Sequence, residues 1–132
     1  MTTRKGFTLI ELMVVILIVG ILAAASIPLM RGRIDSAKWS EANATAGTIK
    51  SAVRVYFSEK GNATAVTGVL SSATIQTALG FSANDLTGTY FVPGDYEITA
   101  VDTSGNATIK VTASQTNAPS GTKTLSATGT WQ

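Results

Sequence analysis

The sequence predicts an α+β fold in which one long N-terminal helix packs the C-terminal half of its length on a small antiparallel β-sheet. Three observations predict it. An uncharged run extends from Leu12 to Met30, an amphipathic pattern at helical spacing continues to Lys60, and period-2 alternation of apolar and polar residues fills the C-terminal part. With 132 residues in all, and a long helix taking part of that length, the remainder suffices for one modest domain.

Residues 7–30 would make a helix of about 36 Å at 1.5 Å per residue, enough to cross a hydrocarbon layer of about 30 Å. Arg4 and Lys5 precede it, which predicts a cytoplasmic N-terminus and places everything after Arg31 on the outer side of a membrane. Within the apolar segment Glu11 is a solitary carboxylate. A charge at mid-bilayer costs about 2.5–3.5 kcal/mol, so a partner and a task are expected for it. Four positions upstream, cleavage of the Gly6–Phe7 bond would create a new α-amino group at Phe7, a cation beside that anion. Gly20 and Pro28 are helix breakers in the same segment. Glycine is a weak helix former, and proline lacks an N–H while its ring crowds the carbonyl of Ala24, so local unwinding between them is cheap. An ordinary secretory signal is the competing reading, with a basic start, an apolar core and Ala23-Ala24-Ala25 as a small-residue cleavage site before Ser26. Glu11 inside the apolar core is poor for such a signal. An uncleaved single-span anchor is the third possibility, and the N-terminus of the mature chain separates all three.

From residue 31 to residue 60 the pattern becomes amphipathic, with Ile34, Ala37, Ala42, Ala46, Ile49, Val53 and Tyr56 at helical spacing and Asp35, Lys38, Glu41, Lys50, Arg54 and Glu59 largely between them. Lys60-Gly61 supplies a basic last turn and a glycine stop. Residues 61–88 are rich in Gly, Ala, Ser and Thr and read as loop, with one short helix starting near Ser72, burying Ile75 and Leu79, and stopping at Gly80. Residues 89–132 read as a four-stranded antiparallel meander: Tyr90 to Val92, Tyr96 to Val101, Ala107 to Ala113, and Lys123 to Ala127. Pro93-Gly94 and Ser104-Gly105-Asn106 are the turn signals between the first three, and residues 117–121 separate the last. Tyr96, Ile98, Ala100, Ile109, Val111 and Leu125 are expected to cover the amphipathic helix.

Lys5-Gly6-Phe7-Thr8-Leu9-Ile10-Glu11-Leu12, continuing through Val19-Gly20-Ile21-Leu22-Ala23-Ala24-Ala25-Ser26-Ile27-Pro28, resembles the class III leader and first helix of type IV pilins and type II secretion pseudopilins. It covers roughly the first quarter of the chain. The resemblance implies a leader of residues 1–6, a transmembrane and filament-core helix of residues 7–30, and a globular head of residues 31–132. It implies that a prepilin peptidase cleaves after Gly6 and methylates the amino group of Phe7, and that Glu11 of an incoming subunit meets the Phe7 amine of its neighbour during assembly. It also implies that the stretch from Gly20 to Pro28 loses helicity in the filament. The expected function is a structural subunit, inserted in the inner membrane as a precursor and polymerised with copies of itself on an inner-membrane assembly platform into an extracellular or periplasmic filament. A pseudopilin acting as a periplasmic piston for protein secretion, and a minor tip pilin that grips a surface or DNA, are the alternatives.

Composition narrows the chemistry. The chain has no Cys and no His, which removes disulfides, thiolate nucleophiles, imidazole bases and the usual zinc and haem ligand sets. No enzymatic activity and no cofactor are expected. Many relatives close a C-terminal loop with a disulfide, so here that loop must be held differently. Major pseudopilins typically hold calcium with C-terminal acidic residues, yet no Asp or Glu follows Asp102, so no metal site is predicted and the pilus subtype gains. Removing Arg4 and Lys5 from the ten basic side chains leaves eight against eight acidic ones, and their scatter predicts no nucleic-acid partner. Ser120-Gly121-Thr122-Lys123 matches a serine–lysine hydrolase pattern, but Pro119 and Gly121 point to a turn rather than the helix such a pair requires. Asp95 and Glu97 are read as a solvated strand face. Asn43, Asn62 and Asn106 each open an Asn-x-Thr triplet, unremarkable in a Thr-rich chain. The aromatic residues are few and dispersed along the sequence.

Overall fold

The computed structural model describes residues 6–132. A single helix, α1, runs over Leu9–Lys60 without interruption. Four strands follow in antiparallel order: β1 (Gly68–Val69), β2 (Tyr96–Val101), β3 (Ala107–Thr112) and β4 (Thr122–Leu125), with α2 (Ala73–Ala78) between the first two. Two compact units divide between Ile34 and Asp35.

The second unit, Asp35–Gln132, contains the hydrophobic core. From α1 it takes Trp39, Ala42, Ala46, Ile49 and Val53, a stripe at three- and four-residue intervals. These share one core with Tyr96 and Ile98 of β2, Ile109 and Val111 of β3, and Leu125 of β4. Burying each large member contributes about 1.5–3 kcal/mol. Ala42 and Ala46 have no exposed surface. A second set, Val66, Leu70, Ile75, Leu79, Leu86 and Phe91, comes from the segment joining α1 to β2.

Several expectations need correction. Ile34 and Ala37 are exposed, and the inward stripe starts at Trp39. Tyr90 to Val92 is not a strand, and the first strand instead lies at Gly68–Val69 inside the predicted loop of residues 61–88. The cause is local: the Tyr90 and Phe91 N–H groups donate to Glu41 Oε1 of α1 at 2.9 and 3.2 Å, so neither is available to a neighbouring strand. Gly88 makes room for this carboxylate, because a Cβ there would fall 2.1 Å from Glu41 Oε1. Ala100 is exposed instead of inward. A bulge between Ile98 and Ala100 shifts the register, pairing Ala100 with Thr108 and Val101 with Ala107, and transfers the inward face from even to odd positions. Beyond β4 the chain turns back: Thr124 and Gln132 exchange backbone hydrogen bonds of 2.8 and 3.0 Å, and Leu125 faces Trp131.

This C-terminal return has no disulfide, and lysines of α1 hold it. Lys50 Nζ donates to the carbonyls of Ser126 and Ala127 at 2.9 and 2.6 Å. Lys38 Nζ donates to the Asn117 carbonyl at 2.7 Å, and Asn117 Nδ2 reaches the Thr89 carbonyl at 3.1 Å. Charge-assisted bonds to backbone carbonyls thus tie the last segment to the helix. Aromatic residues dispersed in sequence meet in space: Trp39 lies 5.2 Å from Phe91 and 6.0 Å from Trp131, and Phe91 lies 6.3 Å from Tyr96.

Candidate processing and assembly site

Gly6, Phe7 and Thr8 precede the helix in non-helical backbone, so the bond expected to be cut lies in an accessible stretch. Phe7 is 83% exposed, and nothing stands within 4 Å of where a Cβ on Gly6 would be. The basic residues expected to orient this end, Arg4 and Lys5, lie outside the described residues, as do the other leader positions before Gly6.

Glu11 is in the first turn of α1. Its Oε2 accepts the Thr8 N–H at 3.2 Å and the Thr8 hydroxyl at 3.1 Å, while the Glu11 N–H donates to Thr8 Oγ1 at 3.3 Å. That reciprocal pair is a capping box, which satisfies N–H groups left without partners at the start of a helix. Sequence reasoning passed over it, although the signal was present: Thr8-Leu9-Ile10-Glu11 has the Thr-x-x-Glu spacing that marks such a start. The carboxylate therefore has a task within its own helix turn. Both bonds fall on one oxygen, and among the described residues Oε1 has no partner.

Beyond Glu11 none of the large apolar side chains from Leu9 to Met30 is less than 48% exposed. A continuous apolar surface of this extent marks an interaction with lipid or with other protein. By length and hydropathy the helix is able to cross a membrane. Gly20 and Pro28 both lie inside α1, which stays helical through them. Pro28 has no N–H to offer the Ala24 carbonyl, and Ser26 Oγ donates back to the Leu22 carbonyl at 2.8 Å, a bond that often accompanies bending.

The other motifs separate in space from this region and from chemistry. Ser120 is exposed in a turn and Lys123 lies on β4, so no helix pairs them. Asp95 is in a 3-10 turn ahead of β2 and is 4% exposed, a correction to the solvated-face reading. Its Oδ2 accepts the Val92 N–H at 2.9 Å, and its Oδ1 accepts the Ser114 hydroxyl. Glu97 is paired with Lys110 at 2.5 Å. Asp102 is held below the usual carboxylate range, first by the backbone N–H of Asn106, with its side-chain amide, the Ser104 N–H and the Arg54 charge acting in the same direction. Of the three Asn-x-Thr triplets, Asn43 is on α1 and Asn106 is bonded to Asp102 and Arg54, which leaves Asn62, just past the helix, as the one in exposed irregular backbone. Among the described residues no group of three acidic side chains converges on a possible metal position.

Residues 1–27 match the family described as the prokaryotic N-terminal methylation motif. The chain is 52% identical over 58 residues to the fimbrial protein EcpC of Eikenella corrodens, covering 44% of this chain and 38% of that protein. It is 48% identical over 80 residues to the type IV major pilin protein PilE of Neisseria gonorrhoeae, covering 57% and 47% respectively. A fimbrial protein of Moraxella nonliquefaciens is 49% identical over 53 residues, covering 40% and 34%. The chain thus spans less than half the length of these curated relatives. In its N-terminal methylation motif and in the sequence that follows, the chain is thus similar to type IV major pilins and fimbrial proteins, and it carries a helix-on-sheet head.

Proposed function

We propose that the chain is the structural subunit of a type IV pilus-like filament. In this reading a prepilin peptidase cleaves between Gly6 and Phe7 and the new amine of Phe7 is methylated. The subunit waits in the inner membrane on its apolar helix, and an assembly platform there polymerises it with copies of itself into a filament outside that membrane. It is not an enzyme. The observation that carries the reading is the wholly exposed apolar stretch of α1 with Glu11 in its first turn, directly after Gly6–Phe7. Relatives named as major pilins and fimbrial proteins favour a pilus over a secretion piston.

Assembly then has a simple electrostatic logic. In a filament core the Phe7 amine and the Glu11 carboxylate lie in a dry environment, where removing one partner of such a pair typically costs about 3–5 kcal/mol. Oε2 stays with Thr8 while Oε1 accepts the neighbour's amine, so capping and pairing are compatible. Between Gly20 and Pro28, where one backbone bond is already missing, the helix yields to let subunits stretch and pack.

Mass spectrometry of the native N-terminus tests processing: it should read N-methylated Phe7, and any other start overturns the proposal. Gly6→Val should leave an uncut precursor in the membrane. Among the described residues nothing lies within 4 Å of a Cβ placed on Gly6, so its effect would fall on recognition by the peptidase and not on folding.

A further inference from the structure

We propose that a recess between α1 and the C-terminal strand pair binds a single acidic sugar ring of the hexuronate type. Ser36, Trp39, Ser40 and Asn43 of α1, Lys123 of β4, and Trp131 enclose about 220 Å³ there. That is below the roughly 300–1,000 Å³ of drug-sized pockets and fits one ring.

The lining combines three kinds of chemistry. Two indoles meet edge to face, with ring centres 6.0 Å apart and planes at 63°; Trp39 is 7% exposed and held from behind by Phe91, while Trp131 is half-buried. An electron-rich indole face attracts the weakly positive C–H face of a sugar as it attracts a cation. Lys123 Nζ stands 5.9 Å from both indole centres and has no carboxylate partner: the ion pair among the described residues is Glu97–Lys110. A cation fixed at an aromatic wall without an anion suits a ligand carboxylate. The Asn43 side-chain amide supplies two donors and an acceptor and has no bond among the described residues, and Ser40 Oγ, which donates to the Ser36 carbonyl at 3.2 Å, keeps its lone pairs for sugar hydroxyls. A neutral sugar would leave the lysine unused, and a simple anion would leave the indoles unused.

The chain contains two tryptophans, and both line this recess, so emission excited selectively at tryptophan reports it alone. The full chain in a detergent without a sugar headgroup is titrated with glucuronate, glucose and acetate, with saturation-transfer NMR as a second readout. Glucuronate should change the emission saturably and receive saturation from the indole protons. Glucose should bind at least about tenfold more weakly, the loss expected for one charge-assisted hydrogen bond, and acetate should give no response. Lys123→Met should lower glucuronate affinity to that of glucose. Asn43→Ala, on the exposed side of α1 where folding does not depend on it, should weaken both sugars. No response to glucuronate overturns the proposal. So does acetate equal to glucuronate, glucose equal to glucuronate, undiminished glucuronate binding in folded Lys123→Met, or undiminished binding of either sugar by Asn43→Ala.

Discussion

At the scale of single residues, Glu41 is the side chain whose charge pattern and structural role diverge most. In sequence it is one more polar position on an amphipathic helix; in the structure its carboxylate takes the N–H groups of Tyr90 and Phe91 and sits where a Gly88 Cβ would be. Glu41→Ala should destabilise the head by about 1–3 kcal/mol, because two partly buried donors lose their acceptor. Gly88→Ala should cost a similar amount by displacing the same carboxylate, and the double variant should cost clearly less than the sum, since both changes break one interaction. Denaturant titration of the four proteins checks this, and full additivity would refute the shared origin. Tyr96 offers a second residue-scale test. Burial, chiefly, and then the nearby charges of Glu41 and Asp95 push its hydroxyl up to about 12, while a hydrogen bond with Thr45 acts the other way. In the unfolded chain tyrosine ionises near 10. The native state therefore keeps a proton that the unfolded state loses, and stability contributed by Tyr96 is complete below about pH 10 and declines as pH rises towards 12. Tyr96→Phe should show a shallower loss of stability in that window, and an unchanged alkaline profile would exclude Tyr96 as the source.

At the scale of elements, the C-terminal return depends on charge-assisted bonds from the helix. Lys50→Met keeps the length of the side chain and removes both bonds to the Ser126 and Ala127 carbonyls. Amide exchange at Ser126, Gly129 and Gln132 should then accelerate about tenfold or more, the loss expected for hydrogen bonds to a charged group, while the β2 and β3 amides stay protected. Uniform acceleration across the sheet would mean that Lys50 supports the whole head. The contrast between these elements also explains what sequence reading reached. β2 and β3 were legible because each alternates over six residues with a short turn between them. β1 is two residues long, too short for any periodicity, and its position is set by pairing with β2. Tyr90 to Val92 alternates like a strand, but a carboxylate 49 and 50 residues away in sequence claims its amides. The bulge at Thr99 left no composition signal, so Ala100 was assigned to the wrong face. Trp39 was overlooked because its burial depends on Phe91 and Trp131, which are distant in sequence.

At the scale of the whole molecule, the apolar N-terminal helix was the most legible element, because its length and exposure follow from hydropathy rather than from long-range packing. Its capping box was the exception, overshadowed by the isolation of the charge. Glu11 now has two candidate tasks, starting α1 through Thr8 and pairing with the Phe7 amine of a second subunit, and their energies differ enough to separate them. Losing a helix cap costs about 1 kcal/mol, whereas an unpaired charge in a dry core costs about 3–5 kcal/mol. Thr8→Val removes the hydroxyl of the box and leaves the carboxylate in place; Glu11→Ala removes both the cap and the partner of the amine. If pairing drives assembly, Glu11→Ala should be processed at Phe7 and remain in the membrane without making filaments, while Thr8→Val should still form them, counted by electron microscopy of sheared cells. The head should unfold at the same denaturant concentration in both variants, because the bonds of Glu11 all lie within its own first turn. Equal loss of filaments in the two variants would reduce Glu11 to a helix cap, and normal filaments from Glu11→Ala would remove it from assembly altogether.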